Sequence, residues 1–114
     1  MITIEQLKEV KERTESLNRY LDIDGKKMQY EEEQLRTQDP GFWEDAKRAE
    51  AQMKLVKGLE KWIKGYAAVE TLASELETAY EFFREELVSE AEVDELYARA
   101  LTALEDLELK NMLR

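Results

Sequence analysis

Four lysines, Lys54, Lys57, Lys61 and Lys64, step by 3, 4 and 3 residues. On an α-helix, residues three and four apart share one side, so the four ammonium groups form a ladder. A ladder of this kind activates no nucleophile. Its chemistry is charge, and it suits a surface of phosphates or carboxylates. The residues that usually run catalysis are missing. The 114 residues include no histidine and no cysteine. That removes the commonest general base, the commonest metal ligand, and any thiol or disulfide chemistry. The glycines at 25, 41, 58 and 65 never fall in a nucleotide-binding spacing. Carboxylates are abundant, but helical di-metal sites add a Glu-x-x-His pair. We therefore expect no catalytic residue, no metal site and no cofactor site here.

Charge is unevenly placed. The chain carries 27 acids against 17 bases, a net −10, which argues against coating nucleic acid by charge alone. Locally the balance reverses. Between Lys47 and Lys64, six bases face two acids, a net +4. Between Glu75 and Glu95, nine acids face one base, Arg84, a net −8. The plain reading of the ladder is a solvated helix face; the sharper one is contact with RNA phosphate or an acidic protein. Phe82 lies off the apolar stripe, beside Phe83, which lies on it. It packs against a neighbouring domain or marks a protein-docking contact. Lys54, Lys57, Lys61, Lys64 and Phe82 are thus the candidate partner-binding residues.

The elements that must position these groups are helical. Charged residues make up 39% of the chain, well above the usual quarter, which predicts helices with wide solvent faces and a narrow apolar seam. A first helix over about 4–20 opens with the capping box Thr3-Ile4-Glu5-Gln6, and its stripe is Ile4, Leu7, Val10, Leu17 and Leu21, with Thr14 filling a gap. A second helix over about 24–37, capped by Asp22 or Asp24, has a thin face of Met28, Tyr30 and Leu35. Asp39-Pro40 stops it, because proline lacks an N–H and disfavours helical geometry in the residue before it. Asp39 is then the expected cap of a new helix with Pro40 at its first position, and Phe42 and Trp43 close the corner.

The third helix, over about 43–87, is the strongest signal. Leu55, Leu59, Trp62, Tyr66, Val69, Ala73, Leu76, Tyr80, Phe83 and Leu87 alternate steps of 4 and 3, a heptad seam that other helices must cover. Gly58 and Gly65 on its flank suggest close approach of a neighbour or a slight bend. A fourth helix over about 90–112 opens on a second capping box, Ser89 with Glu92. Its apolar face is Val93, Leu96, Tyr97, Ala100, Leu101, Leu104, Leu107 and Met112, and it folds back on the second half of helix three, leaving the first two helices for the first half. The expectation is all-α: an elongated antiparallel helical bundle of about four helices with one long central helix. No run of about 18 apolar residues offers a membrane span, and the polar N-terminus is no signal peptide, which is compatible with the cytoplasm.

Tyr20-Leu21-Asp22 with Asp24, then Asp39-Pro40 with Trp43, then Arg48-Ala49 at the opening of a long helix, together resemble the N-terminal domain of the bacterial peptide chain release factor 2 family. The resemblance spans essentially the whole chain, and Asp-Pro-x-x-Trp is its most specific part. It implies a role in translation termination. Members read UGA and UAA stop codons through a Ser-Pro-Phe tripeptide and trigger peptide release through Gly-Gly-Gln. Neither motif occurs in these residues. The resemblance thus implies a first domain, 1–114, without the decoding and Gly-Gly-Gln domains and with no catalysis of its own. The implied partners are the ribosome, at the stalk base of the large subunit, and the class-2 release factor GTPase. The competing reading is a stand-alone coiled-coil adaptor that dimerises through the third helix.

Overall fold

The computed structural model describes residues 1–114. The chain is all-α, with helices α1 (Ile4–Leu21), α2 (Ile23–Arg36), α3 (Ala46–Arg84) and α4 (Glu90–Leu113), and one 3₁₀ turn over Phe42–Glu44. At 1.5 Å per residue, the 39-residue α3 is roughly 58 Å long. Its contacts fall into two compact units. One is Asp22–Gly65; the other joins Met1–Leu21 to Tyr66–Arg114.

The larger unit holds α1, the second half of α3, and α4. The Thr3 box forms in both directions: Gln6 N–H donates to Thr3 Oγ1 at 3.1 Å, and Thr3 N–H donates to Gln6 Oε1 at 2.8 Å. Leu7, Val10, Thr14, Leu17 and Leu21 are buried, as the spacing predicts. The Thr14 hydroxyl donates to the Val10 carbonyl at 2.8 Å, which lets a polar residue sit in the stripe. From α3 come Tyr66, Val69, Ala73, Leu76 and Ala79, and from α4 Val93, Ala100, Leu104 and Leu107. Each buried leucine contributes about 1.5–3 kcal/mol of burial. Polar contacts between the helices show the direction of packing. Ile2 N–H donates to Asp94 at 2.9 Å, and Arg13 grips Glu108 with two nitrogens, at 3.1 and 2.5 Å. Numbers rise together along both helices, so α1 and α4 run parallel. Lys11 meets Glu77 at 2.9 Å, and α3 runs against both.

The smaller unit is a hairpin of α2 and the first half of α3. Only one residue separates α1 from α2. Asp22 adopts the left-handed conformation (φ 49°, ψ 58°), and its carboxylate accepts the Gly25 N–H at 3.2 Å. Aspartate tolerates this conformation better than most residues. A Cβ at Gly25 would strike that carboxylate, so any larger residue there would make the Asp22 side chain shift.

Several expectations need correction. The thin face of α2 is not Met28 and Leu35, which are exposed; Ile23 and Glu33 are the buried positions. Helix α1 covers the second half of α3 rather than the first, so α2 is the element paired with the first half. With a different cover, that half buries Ala49, Val56 and Leu59, and Leu55 is exposed. Asp39 does not cap a helix. Asp45 is extended, and its carboxylate accepts the Arg48 N–H at 3.2 Å, so α3 starts three residues later than 43. Trp43 does not close the corner: it is 64% exposed and stands edge-on to Phe42, ring centres 4.7 Å apart. Nothing lies within 4 Å of a Cβ built on Gly58, so no neighbour approaches there. Met112 is exposed, not part of the α4 face.

Leu87 lies beyond α3 and is also exposed, because the helix ends at Arg84. The Leu87 N–H donates to the Phe82 carbonyl and the Glu86 N–H to the Phe83 carbonyl, both at 2.9 Å. This is a Schellman ending, and its left-handed residue is Glu86 (φ 62°) where glycine is usual. A side chain there costs about 1–2 kcal/mol. Glu86→Gly should therefore stabilise the protein by about 1 kcal/mol in urea unfolding, and Glu86→Ala, which keeps the Cβ, by clearly less. A Glu86→Gly midpoint below that of the parent would contradict this account.

Candidate functional site

The lysine ladder stands on the smaller unit. Lys54, Lys57, Lys61 and Lys64 are all exposed on α3. At 100° per residue they centre on the side of the helix away from Val56 and Leu59, which are buried against the hairpin. Three of the four make no ion pair. Lys64 meets Glu60 at 2.5 Å. Hydrogen bonding to Lys64, reinforced by its charge, pulls the Glu60 carboxyl below its ordinary pKa, and the same bond raises Lys64. The ladder therefore presents three free ammonium groups and one that is half-neutralised by its neighbour.

Beneath it, the hairpin is held by polar as well as apolar contacts. Lys26 lies 6.0 Å from the centre of the Trp62 ring, a cation–π distance. Glu33 is 8% exposed, a carboxylate nearly out of water. Gln52 Nε2 donates to its Oε2 at 2.5 Å and to its backbone carbonyl at 3.0 Å. Arg36 Nε lies farther off, at 3.8 Å. Sequence reading missed this pair. Glu33 sits in a run of three glutamates that looks fully solvated. The available signal was a neutral Gln52 spaced 3 and 4 from Ala49 and Val56, on the buried side of a highly charged helix.

Phe82 belongs to the other unit and forms a separate surface. It is 45% exposed, with exposed Glu81, Glu85, Glu86 and Leu87 around the α3 ending. The structure does not bring it together with the ladder into one site. Of the nine acids between Glu75 and Glu95, Glu77 pairs with Lys11 and Asp94 with the chain's first residues, while the others are exposed, and no group of three or more acidic side chains converges as a metal site would require. No helix is long and apolar enough to cross a membrane.

A further feature escaped the sequence reading: a cavity of about 370 Å³ at the joint of α2 and α3, whose walls include Arg36, Phe42 and Arg48. The arginines lie 12 residues apart and line one cavity because the joint over residues 39–45 folds the chain back.

Removing Gln52 would leave the buried Glu33 carboxylate without its donor, which costs about 1–3 kcal/mol. Gln52→Leu should lower the unfolding free energy by that amount, and adding Glu33→Leu should restore most of it. Equal, additive losses in the double variant would show that the pair is not coupled.

Peptide chain release factor 2 of Tolumonas auensis is 36% identical over 110 residues, covering 94% of this chain and 28% of that protein. The same factor of Aeromonas salmonicida is 36% identical over 117 aligned positions, covering 96% and 30%. That of Pseudoalteromonas translucida is 33% identical over 104, covering 91% and 27%. The chain thus spans less than a third of the length of the curated relatives it matches and resembles the N-terminal region of release factor 2. No family model matches the chain, and no solved structure matches it.

Proposed function

We propose that this chain is the N-terminal helical domain of a peptide chain release factor and acts in translation termination in the cytoplasm. The observation that carries the proposal is the similarity to release factor 2 along more than nine-tenths of the chain. The parent factor would direct stop-codon-dependent release at UGA and UAA through domains other than this one. This domain docks and does no chemistry. Its sequence has no histidine or cysteine.

Docking divides between the two units. The exposed ladder of Lys54, Lys57, Lys61 and Lys64 suits ribosomal RNA phosphate. Phe82, rimmed by acids, suits a protein with a basic, apolar surface. The large-subunit stalk base and the class-2 release factor GTPase are the partners we assign to these surfaces. The alternative, an adaptor that dimerises through α3, has less support. Tyr66, Val69, Ala73 and Leu76, the best part of the seam, are already buried within one chain.

Lys54→Glu/Lys57→Glu/Lys61→Glu/Lys64→Glu tests the RNA contact. If the four lysines neutralise phosphates, ribosome binding should weaken and the plot of log K against log salt should flatten by about 0.7–0.9 per lost contact. Unchanged affinity and slope from low to high salt would dismiss the ladder as a contact.

A further inference from the structure

The cavity at the α2–α3 joint has a defined chemical character. It is lined by Arg36, Asp39, Phe42, Asp45, Arg48 and Gln52. Phe42 is half-buried and offers a fixed ring. Trp43 adds an exposed indole at nearly a right angle to it, 89°. The Arg48 guanidinium makes no ion pair, and the nearest carboxylate to Arg36 is Glu33 at 3.8 Å, so both have donors to spare. Gln52 is immobilised, because its amide nitrogen serves Glu33 twice. Its carbonyl oxygen is left as an acceptor. Asp45 is engaged by the Arg48 N–H at the start of α3, and Asp39 has no side-chain bond.

This combination selects among ligands. A bare phosphate would meet Asp39 and Asp45 beside the two arginines. A partner's arginine would meet Arg36 and Arg48 beside the two aspartates. A nucleobase edge carries donors and acceptors side by side, and its ring stacks on aromatic side chains. The unit that bears the cavity is far less acidic than the rest of the chain. Residues 22–65 hold nine of the 17 bases and ten acids, a net −1, whereas the remaining residues carry −9. Lys47 and Arg48 stand at the rim on the first turn of α3, with the lysine ladder farther along the same unit.

We infer that this cavity takes one unpaired base of a single-stranded RNA segment, an assignment that rests on the RNA-docking reading above. The base stacks against Phe42, and the exposed Trp43 indole stands edge-on beside that ring as a reporter. Its edge donates to Asp39 and accepts from Arg36. The flanking phosphates lie on Arg48 and Lys47. Duplex RNA does not enter, because its bases are stacked and paired.

The test uses the full chain with Trp62→Phe, which leaves Trp43 as its only tryptophan. It is titrated with a single-stranded oligoribonucleotide of about ten nucleotides, within the span such sites cover. Trp43 fluorescence should be quenched, and Phe42→Leu or Arg48→Ala should each weaken binding on the order of tenfold with helicity unchanged. A duplex of the same sequence should leave Trp43 unaffected. Three results would overturn the assignment: no quenching, equal quenching by the duplex, or equal affinity in the Phe42→Leu and Arg48→Ala variants. Quenching by an arginine-rich peptide alone would also overturn it and make the cavity a protein contact. The two readings fail separately. If the four-lysine variant loses ribosome binding while Trp43 ignores RNA, docking stands and the cavity assignment falls. If Trp43 responds while the lysine variant binds ribosomes normally, the ladder falls instead.

Discussion

The structure depends on sheltering the apolar side of one long helix. Helix α3 is far longer than the average globular helix, and in water its stripe must be covered by other parts of the chain. Tyr66, Val69, Ala73 and Leu76 are covered by α1 and α4, and Val56 and Leu59 belong to the hairpin with α2. Leu76, Leu104 and Leu21 have no exposed surface at all. Some of the polar contacts between helices lie beside that stripe. Arg13 and Glu108 tie the flanking helices together at the margin of the stripe. Gln52 and Glu33 do the same where the hairpin lacks large apolar side chains.

Covering α3 requires abrupt reversals, and single residues supply them. Asp22 turns the chain between α1 and α2 in one left-handed step and caps the new helix with its own carboxylate. Glu86 ends α3 in the same conformation without the freedom of a glycine. The joint between α2 and α3 is longer because Pro40 prevents a direct continuation. A 3₁₀ turn, closed by Phe42 N–H to the Asp39 carbonyl at 3.0 Å and Glu44 N–H to the Gly41 carbonyl at 3.2 Å, fills the gap before Asp45 starts α3. That extra length is what leaves room for a cavity.

Much of this was legible in the residues. Thr3 and Ser89 mark the starts of α1 and α4, because each hydroxyl oxygen accepts the backbone N–H three residues on, wherever the helix ends up packing. The α1 stripe and the Tyr66–Leu76 seam read correctly because apolar residues recur there at helical spacing. Legibility failed where two adjacent residues compete for one inward position. Leu55 and Val56 are both apolar, and which one turns inward is decided by the side from which α2 approaches, a tertiary fact. The α2 face failed for the opposite reason. Its buried position is a charged Glu33, which hydropathy assigns to solvent, and only a partner 19 residues away makes the burial tolerable. Trp43 failed because an aromatic next to Pro-Gly usually packs, whereas here the turn closes by backbone bonds and leaves the indole free. The lysine ladder was visible as a pattern, and its exposure follows once Val56 and Leu59 are known to face inward. The joint cavity was not visible, because its two arginines come from different helices.

Charge is partitioned along with structure. The hairpin unit is nearly neutral, and the other unit carries almost all of the net negative charge. One fold thus carries a basic helix face on one unit and an acidic helix ending on the other. That arrangement presupposes that α3 is sheltered inside one molecule. Sedimentation equilibrium of the 114-residue chain tests this most directly: the account predicts a single species at the chain mass of 13.4 kDa across concentration, and a stable species of twice that mass, melting as it dissociates, would contradict it.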